Sequence, residues 1–146
     1  MKKKIVIISV VFLMFSMIQS PVLASDTTGG YWNWTDTGWK YYDKNGHTLQ
    51  GWQYIGGYTY YFNSDGGYKI GWYGNEEGYH YFNDEGHMLI GWQTVGSERY
   101  YFNSRGIMTK GWLTLKNKTY YFDGEGHMLK GTRTIDGKIR YFKSDG

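Results

Sequence analysis

The stretch Gly91-Trp92-Gln93-Thr94-Val95-Gly96-Ser97-Glu98-Arg99-Tyr100-Tyr101-Phe102-Asn103-Ser104-Arg105-Gly106 decides the fold. Strand-favouring residues run to Val95, Gly96-Ser97 supplies a tight turn, and a second run of strand formers ends at Phe102. Asn103 to Gly106 is then a polar loop of the kind that reverses the chain. The stretch predicts a β-hairpin and a connecting loop. The same punctuation appears at Ile55-Gly56-Gly57 and Ile135-Asp136-Gly137.

Working outward, the unit recurs every twenty residues. Glycines stand at Gly51, Gly71, Gly91, Gly111 and Gly131, and the first four are followed by Trp52, Trp72, Trp92 and Trp112. Trp32 extends the register backwards, and Thr132 takes the tryptophan position of the last unit. Ring pairs follow at Tyr41-Tyr42, Tyr61-Phe62, Tyr81-Phe82, Tyr101-Phe102, Tyr121-Phe122 and Tyr141-Phe142. Fixed self-similarity without insertion or deletion marks a repeat architecture. Twenty residues are too few for two packed helices, and a lone hairpin is marginal in water, so the hairpins must stack on one another. The expected fold is all-β, a solenoid of tandem twenty-residue hairpin repeats at 31–50, 51–70, 71–90, 91–110, 111–130 and an incomplete 131–146. Phe62, Phe82, Phe102, Phe122 and Phe142 are its core candidates, joined by Ile55, Val95, Leu115 and Ile135. Because neighbours in a strand face opposite sides, the adjacent tyrosines should form an outside ring in each unit.

Residues 1–24 have the pattern of a cleaved secretory signal, with 25–30 as a short linker. Lys2, Lys3 and Lys4 precede an apolar run from Ile5 to Ile18, and Val22-Leu23-Ala24 suits a signal peptidase. The run falls short of the roughly 20 residues that span a bilayer, so no membrane insertion is expected after cleavage. The chain has 16 Lys and Arg against 13 Asp and Glu, and three of those lysines lie in the signal. The mature chain is therefore neutral and has no field to attract nucleic acid. No cysteine is present, so rings must supply the burial that disulfides would otherwise replace.

The succession Gly-Trp, Tyr-Tyr-Phe-Asn and Gly-x-Met resembles the cell-wall-binding repeats of Gram-positive secreted proteins, whether choline-binding, glucan-binding or of clostridial toxin type. The resemblance covers residues 31–146. It implies ligands at junctions between successive hairpins, held in aromatic cages. Carried over by motif, the cage candidates are Trp52, Trp72, Trp92 and Trp112 with Tyr61, Tyr81, Tyr101 and Tyr121, closed by Met88, Met108 and Met128. Trp32, Trp39 and Tyr41 extend the set into the first unit. The position two residues before the tyrosine, often a second tryptophan in choline-binding units, holds Trp39, Thr59, Tyr79, Arg99, Thr119 and Ile139. Arg99 places a cation where a cation should bind, which leans the later units towards a glycan.

A quaternary ammonium neither donates nor accepts hydrogen bonds, so ring faces must recognise it at roughly 0.5–2 kcal/mol each. Three rings give about millimolar affinity at best, useful only when several junctions engage one polymer. A sugar would stack on the same rings and bond to polar groups, for which Gln53, Gln93, Asn63, Asn83 and Asn103 are candidates. The asparagines can equally shape turns. His47, His87 and His127 recur forty residues apart and read as solvated turn residues rather than metal ligands. The acids are scattered, and neither a nucleophile elbow nor a phosphate loop occurs. The expectation is a non-catalytic wall-binding protein without metal or cofactor. Its leading partner is choline-bearing teichoic acid, with a polysaccharide next. The alternative from another class is a structural solenoid that mediates self-association or host-protein contact without a small ligand, self-association running through the terminal repeats.

Overall fold

The computed structural model describes residues 29–146. The signal segment and most of the linker lie outside these residues.

Six antiparallel hairpins follow in chain order. They pair Tyr31–Thr35 with Gly38–Tyr42 (β1, β2), Gly51–Ile55 with Tyr58–Phe62 (β3, β4) and Gly71–Asn75 with Gly78–Phe82 (β5, β6). The remaining three pair Gly91–Val95 with Glu98–Phe102 (β7, β8), Gly111–Leu115 with Lys118–Phe122 (β9, β10) and Gly131–Ile135 with Lys138–Phe142 (β11, β12). The turn of the second hairpin holds Gly56 at φ 59° and Gly57 at φ 90°, the doubly left-handed geometry whose twist matches the strands. Lys116 and Asn117 adopt the same geometry in the fifth hairpin at 47° and 65° without glycine.

The register separates two faces of each hairpin. In the second, Trp52 stands opposite Tyr61 and Tyr54 opposite Thr59, all on one side. Gln53 opposite Tyr60, together with Ile55 and Phe62, occupies the other. Successive hairpins then stack unlike face on unlike face. Trp32 lies against Tyr60 and Phe62, with centroids 5.4 and 6.0 Å away. Trp52 lies against His80 and Phe82 at 4.9 and 5.8 Å, and Trp72 against Tyr100 and Phe102 at 5.0 and 5.9 Å. Trp92 meets Tyr120 and Phe122 at 4.8 and 5.8 Å, and Trp112 meets Phe142 at 6.1 Å. The stack is the all-β hairpin solenoid that the period predicts.

All five candidate phenylalanines are buried, each contributing roughly 1.5–3 kcal/mol by leaving water. Ile55 is buried with them, whereas Val95, Leu115 and Ile135 are half-buried. The outside ring needs correction. Tyr61, Tyr81, Tyr101 and Tyr121 do face away from the phenylalanines, but that face meets the next hairpin and leaves them half-buried. Tyr41 is fully buried, and only Tyr141 of the last hairpin is freely exposed, at 77%.

Connecting loops lock the stack from behind. The backbone N–H of Met88 donates to the carbonyl of Thr59, that of Met108 to Tyr79 and that of Met128 to Arg99, at 2.8–2.9 Å. Each bond ties the loop after one hairpin to the second strand of the hairpin before it.

Candidate functional site

The five junctions share a plan. A tryptophan on the first strand of one hairpin supplies a ring, and the residue seven positions later stands on the same face of the partner strand. The residue 28 positions after the tryptophan comes from the next hairpin, and the residue 36 positions after it from the next loop. In junction order the residue at 28 is Tyr60, His80, Tyr100, Tyr120 and Arg140. At 36 stand Tyr68, Met88, Met108 and Met128. The tryptophans are packed on one side and open on the other: Trp52 and Trp72 retain 40% and 39% exposure.

Between the third and fourth hairpins these residues surround a cavity of about 320 Å³. Trp72, Tyr79 and Tyr100 contribute rings, Met108 a polarisable thioether, and Glu125 and Lys110 opposed charges. Tyr79 reaches across Gly74, where a Cβ would come within 3.0 Å of its ring, so the missing side chain makes room for it. The wall formed by Met108 depends on Gly126 in the same way. Among the junctions this one combines three rings, a sulfur and a carboxylate, the set that suits an organic cation.

Between the second and third hairpins the cavity is about 510 Å³ and more polar, with Thr59, Asn75, Glu76 and Glu77 beside Trp52, His80 and Met88. His80 takes the place of the tyrosine. It is 2% exposed, and neither ring nitrogen makes a well-aligned hydrogen bond to a described residue. Burial lowers its pKa, partly opposed by the Gly106 carbonyl and by the charge of Glu77. Met88 leans over Gly106, whose φ of 71° and bare Cα leave space for the sulfur. Between the first and second hairpins Trp32 meets Tyr41, Tyr60 and Tyr68, while Trp39 packs edge-on against Trp34 at 5.4 Å. Burial, and after it the neighbouring Tyr68, Tyr58 and Glu85, push the Tyr60 phenol up to about 12, so it stays neutral.

The structure brings each candidate tryptophan edge-on to its own tyrosine: Trp52–Tyr61, Trp72–Tyr81, Trp92–Tyr101 and Trp112–Tyr121 lie 4.8–5.2 Å apart. It places Met88 and Met108 in the same cavities as Trp52 and Trp72. Sequence reasoning passed over Tyr60, His80, Tyr100 and Tyr120. Their signal was the strand alternation that puts Tyr60 on the same face as Phe62, the face covered by the preceding tryptophan.

The polar candidates mostly serve the loops. Asn83 Oδ1 accepts the N–H of His87 at 2.8 Å, and Asn103 Oδ1 accepts those of Arg105 and Ile107 at 2.9 and 3.1 Å. Gln53 and Gln93 donate to the carbonyls of Gln50 and Ile90 at 2.9 and 2.8 Å. The solvated-turn reading of the histidines fits only His47. His87 stacks on Tyr58 with centroids 3.7 Å apart, and its Nε2 is 2.9 Å from the Tyr60 hydroxyl. His127, with Asp123 and Glu125, presents possible ligand atoms within 4.8 Å of one another. In that turn Asp123 Oδ1 already accepts the N–H groups of Glu125 and His127, at 2.9 and 2.8 Å.

Fold and junctions together define a repeat binding module whose aromatic pockets lie between hairpins. The family described as choline-binding repeat matches residues 89–125 and 111–146, and that described as putative cell wall binding repeat matches 50–67. The fold is similar to that of choline binding protein F from Streptococcus pneumoniae, with 34% identity, TM-score 0.75, and coverage of 79% of this chain and 40% of that one. CbpJ from Streptococcus pneumoniae TIGR4 is similar at 36% identity, TM-score 0.75, and coverage of 79% and 40%. The pneumococcal cell wall endolysin from phage Cp-1, solved in complex with choline, is similar at 30% identity, TM-score 0.61, and coverage of 90% and 39%. The chain thus spans about two fifths of the length of these relatives. No curated protein matches its sequence. The chain belongs to the cell-wall-binding, choline-binding-type repeat proteins of Gram-positive bacteria.

Proposed function

We propose that the chain is a secreted, non-catalytic module that holds to the bacterial envelope through choline residues of teichoic acid. The observation that carries this is the junction between the third and fourth hairpins, where Trp72, Tyr79, Tyr100 and Met108 enclose a cavity shared with Glu125. Three ring faces and a carboxylate suit a cation that cannot hydrogen-bond. The engagement of Asn83, Asn103, Gln53 and Gln93 in their own loops supports choline over a sugar, because a sugar needs such groups free. The similarity to an endolysin solved with choline supports the same ligand. Each junction is weak alone, and several on one stack gain by avidity along a polymer. Export follows from the signal pattern of residues 1–24, with cleavage before Ser25.

The mature chain should be retained by a resin bearing choline groups and released by free choline. Passage straight through the resin would overturn the reading. A saccharide has one observation in its favour, the polar lining of the second junction by Thr59, Asn75, Glu76 and Glu77. Elution by glucose oligomers and not by choline would establish it instead.

A further inference from the structure

The junction between the fourth and fifth hairpins contains a cation of the chain's own. Arg99 stands at the position where the third hairpin has the cage ring Tyr79. Its guanidinium carbon lies over the Trp92 ring, 4.3 Å from the centroid. The side chain is half-buried there, and Nη1 donates to the carbonyl of Asp145 at 3.5 Å. At the next junction an arginine reaches the equivalent ring from the opposite wall. Arg140, in the place of Tyr60, Tyr100 and Tyr120, holds its guanidinium carbon 5.7 Å from the Trp112 centroid. Two arginines at different repeat positions, on different hairpins, converge on the same element of the cage.

A planar guanidinium stacks well on an indole and keeps its charge at every accessible pH. It takes up the ring face that a quaternary ammonium would use. It also sets a positive charge close to any second cation, which weakens that cation's binding by roughly five-fold even under full water screening and more where water is thinned. Lys118 and Lys143 share the last junction with Arg140, against the single carboxylate of Asp145. The second cavity sets its one cation, Arg105, beside Glu76 and Glu77. The third junction also differs from the last two. Its Lys110 approaches Tyr79 rather than the tryptophan, at 5.4 Å, and the cavity also holds Glu125.

We infer that Arg99 and Arg140 are built-in occupants of the last two described cages, so that quaternary ammonium binding is confined to the junctions before them. The inference rests on the choline reading of those earlier junctions. Function and rigidity are then divided along one stack: the first junctions bind, and the last two are stacking spacers that contain their own cation.

The test is choline capacity by equilibrium dialysis of the mature chain and of Arg99→Thr and Arg140→Tyr variants. Both replacements are residues that other hairpins carry at these positions, and Arg99→Gln serves as a second variant if the first loses its strand signal in circular dichroism. Each substitution should raise the capacity by one site, and the double variant by two. Unchanged capacity in folded variants, with choline bound by the parent chain, would overturn the inference and leave the proposed function standing. A parent that binds no choline alongside variants that do would overturn the proposed function and uphold the inference. Absence of binding in every form would overturn both.

Discussion

Replacing Tyr79 by threonine takes one ring from the third junction and little from the fold. Tyr79 is 50% exposed and lies across Gly74, and threonine already occupies the equivalent positions 59 and 119. Stability should therefore change by less than about 0.5 kcal/mol. Ligand binding should change more. A ring face contributes roughly 0.5–2 kcal/mol to a bound cation, so choline should bind this junction roughly 2- to 30-fold more weakly. Isothermal titration, with the melting temperature as control, reads both quantities. Tyr79→Phe supplies the decisive contrast, because it keeps the ring and removes only the hydroxyl. The reasoning requires Tyr79→Phe to bind choline like the parent. If phenylalanine weakened binding as much as threonine, the hydroxyl rather than the ring face would be the recognition element, and the cage account would fail.

Three further outcomes follow from the packing. Phe102→Ala, at a fully buried position, should cost about 3–5 kcal/mol and be visible as a large fall in denaturation midpoint. Gly106→Ala should cost more than Gly51→Ala, although both have left-handed φ, at 71° and 67°. Only at Gly106 does the new methyl also meet a neighbour, the side chain of Met88, and thermal melts of the two variants compare them. Lowering the pH should destabilise the stack through His80, because burial holds its folded pKa below the ordinary 6.5. The unfolded chain then binds the extra proton first, so stability is complete above about pH 6.5 and is lost as pH falls below it. His80→Tyr should flatten that dependence below about pH 6.5, leaving the slope from His87, whose pKa burial also lowers.

The hairpins were legible because their signals are local. The Gly96-Ser97 turn, the five-residue strands around it and the loop to Gly106 all lie within sixteen residues, and the structure has them where the sequence puts them. The phenylalanine core was legible by alternation alone. What the sequence hides is which face of one hairpin meets which face of the next. That depends on the sense of rotation between hairpins, set by loop bonds such as Met88 N–H to the Thr59 carbonyl, 29 residues away. Without that pairing, Tyr61 looks like an outward ring, and Tyr60 looks like filler beside Phe62. With it, Tyr60 becomes the partner of Trp32, and Tyr100 that of Trp72. His87 was misread for the same reason: its place after a loop glycine suggests solvent, but the stack brings Tyr58 and Tyr60 against it. Asn83 and Asn103 were ambiguous in sequence because a side-chain amide suits a sugar and a turn equally, and only the hydrogen bonds decide.

The most direct measurement is a titration of the mature chain with choline, followed by tryptophan fluorescence, with glucose oligomers titrated in parallel. Because the indoles of Trp52 and Trp72 are open on one side, a bound cation must perturb their emission. The account predicts a saturable response to choline in the millimolar range and none to the sugars. A flat response to choline, or saturation by the sugars alone, would contradict it.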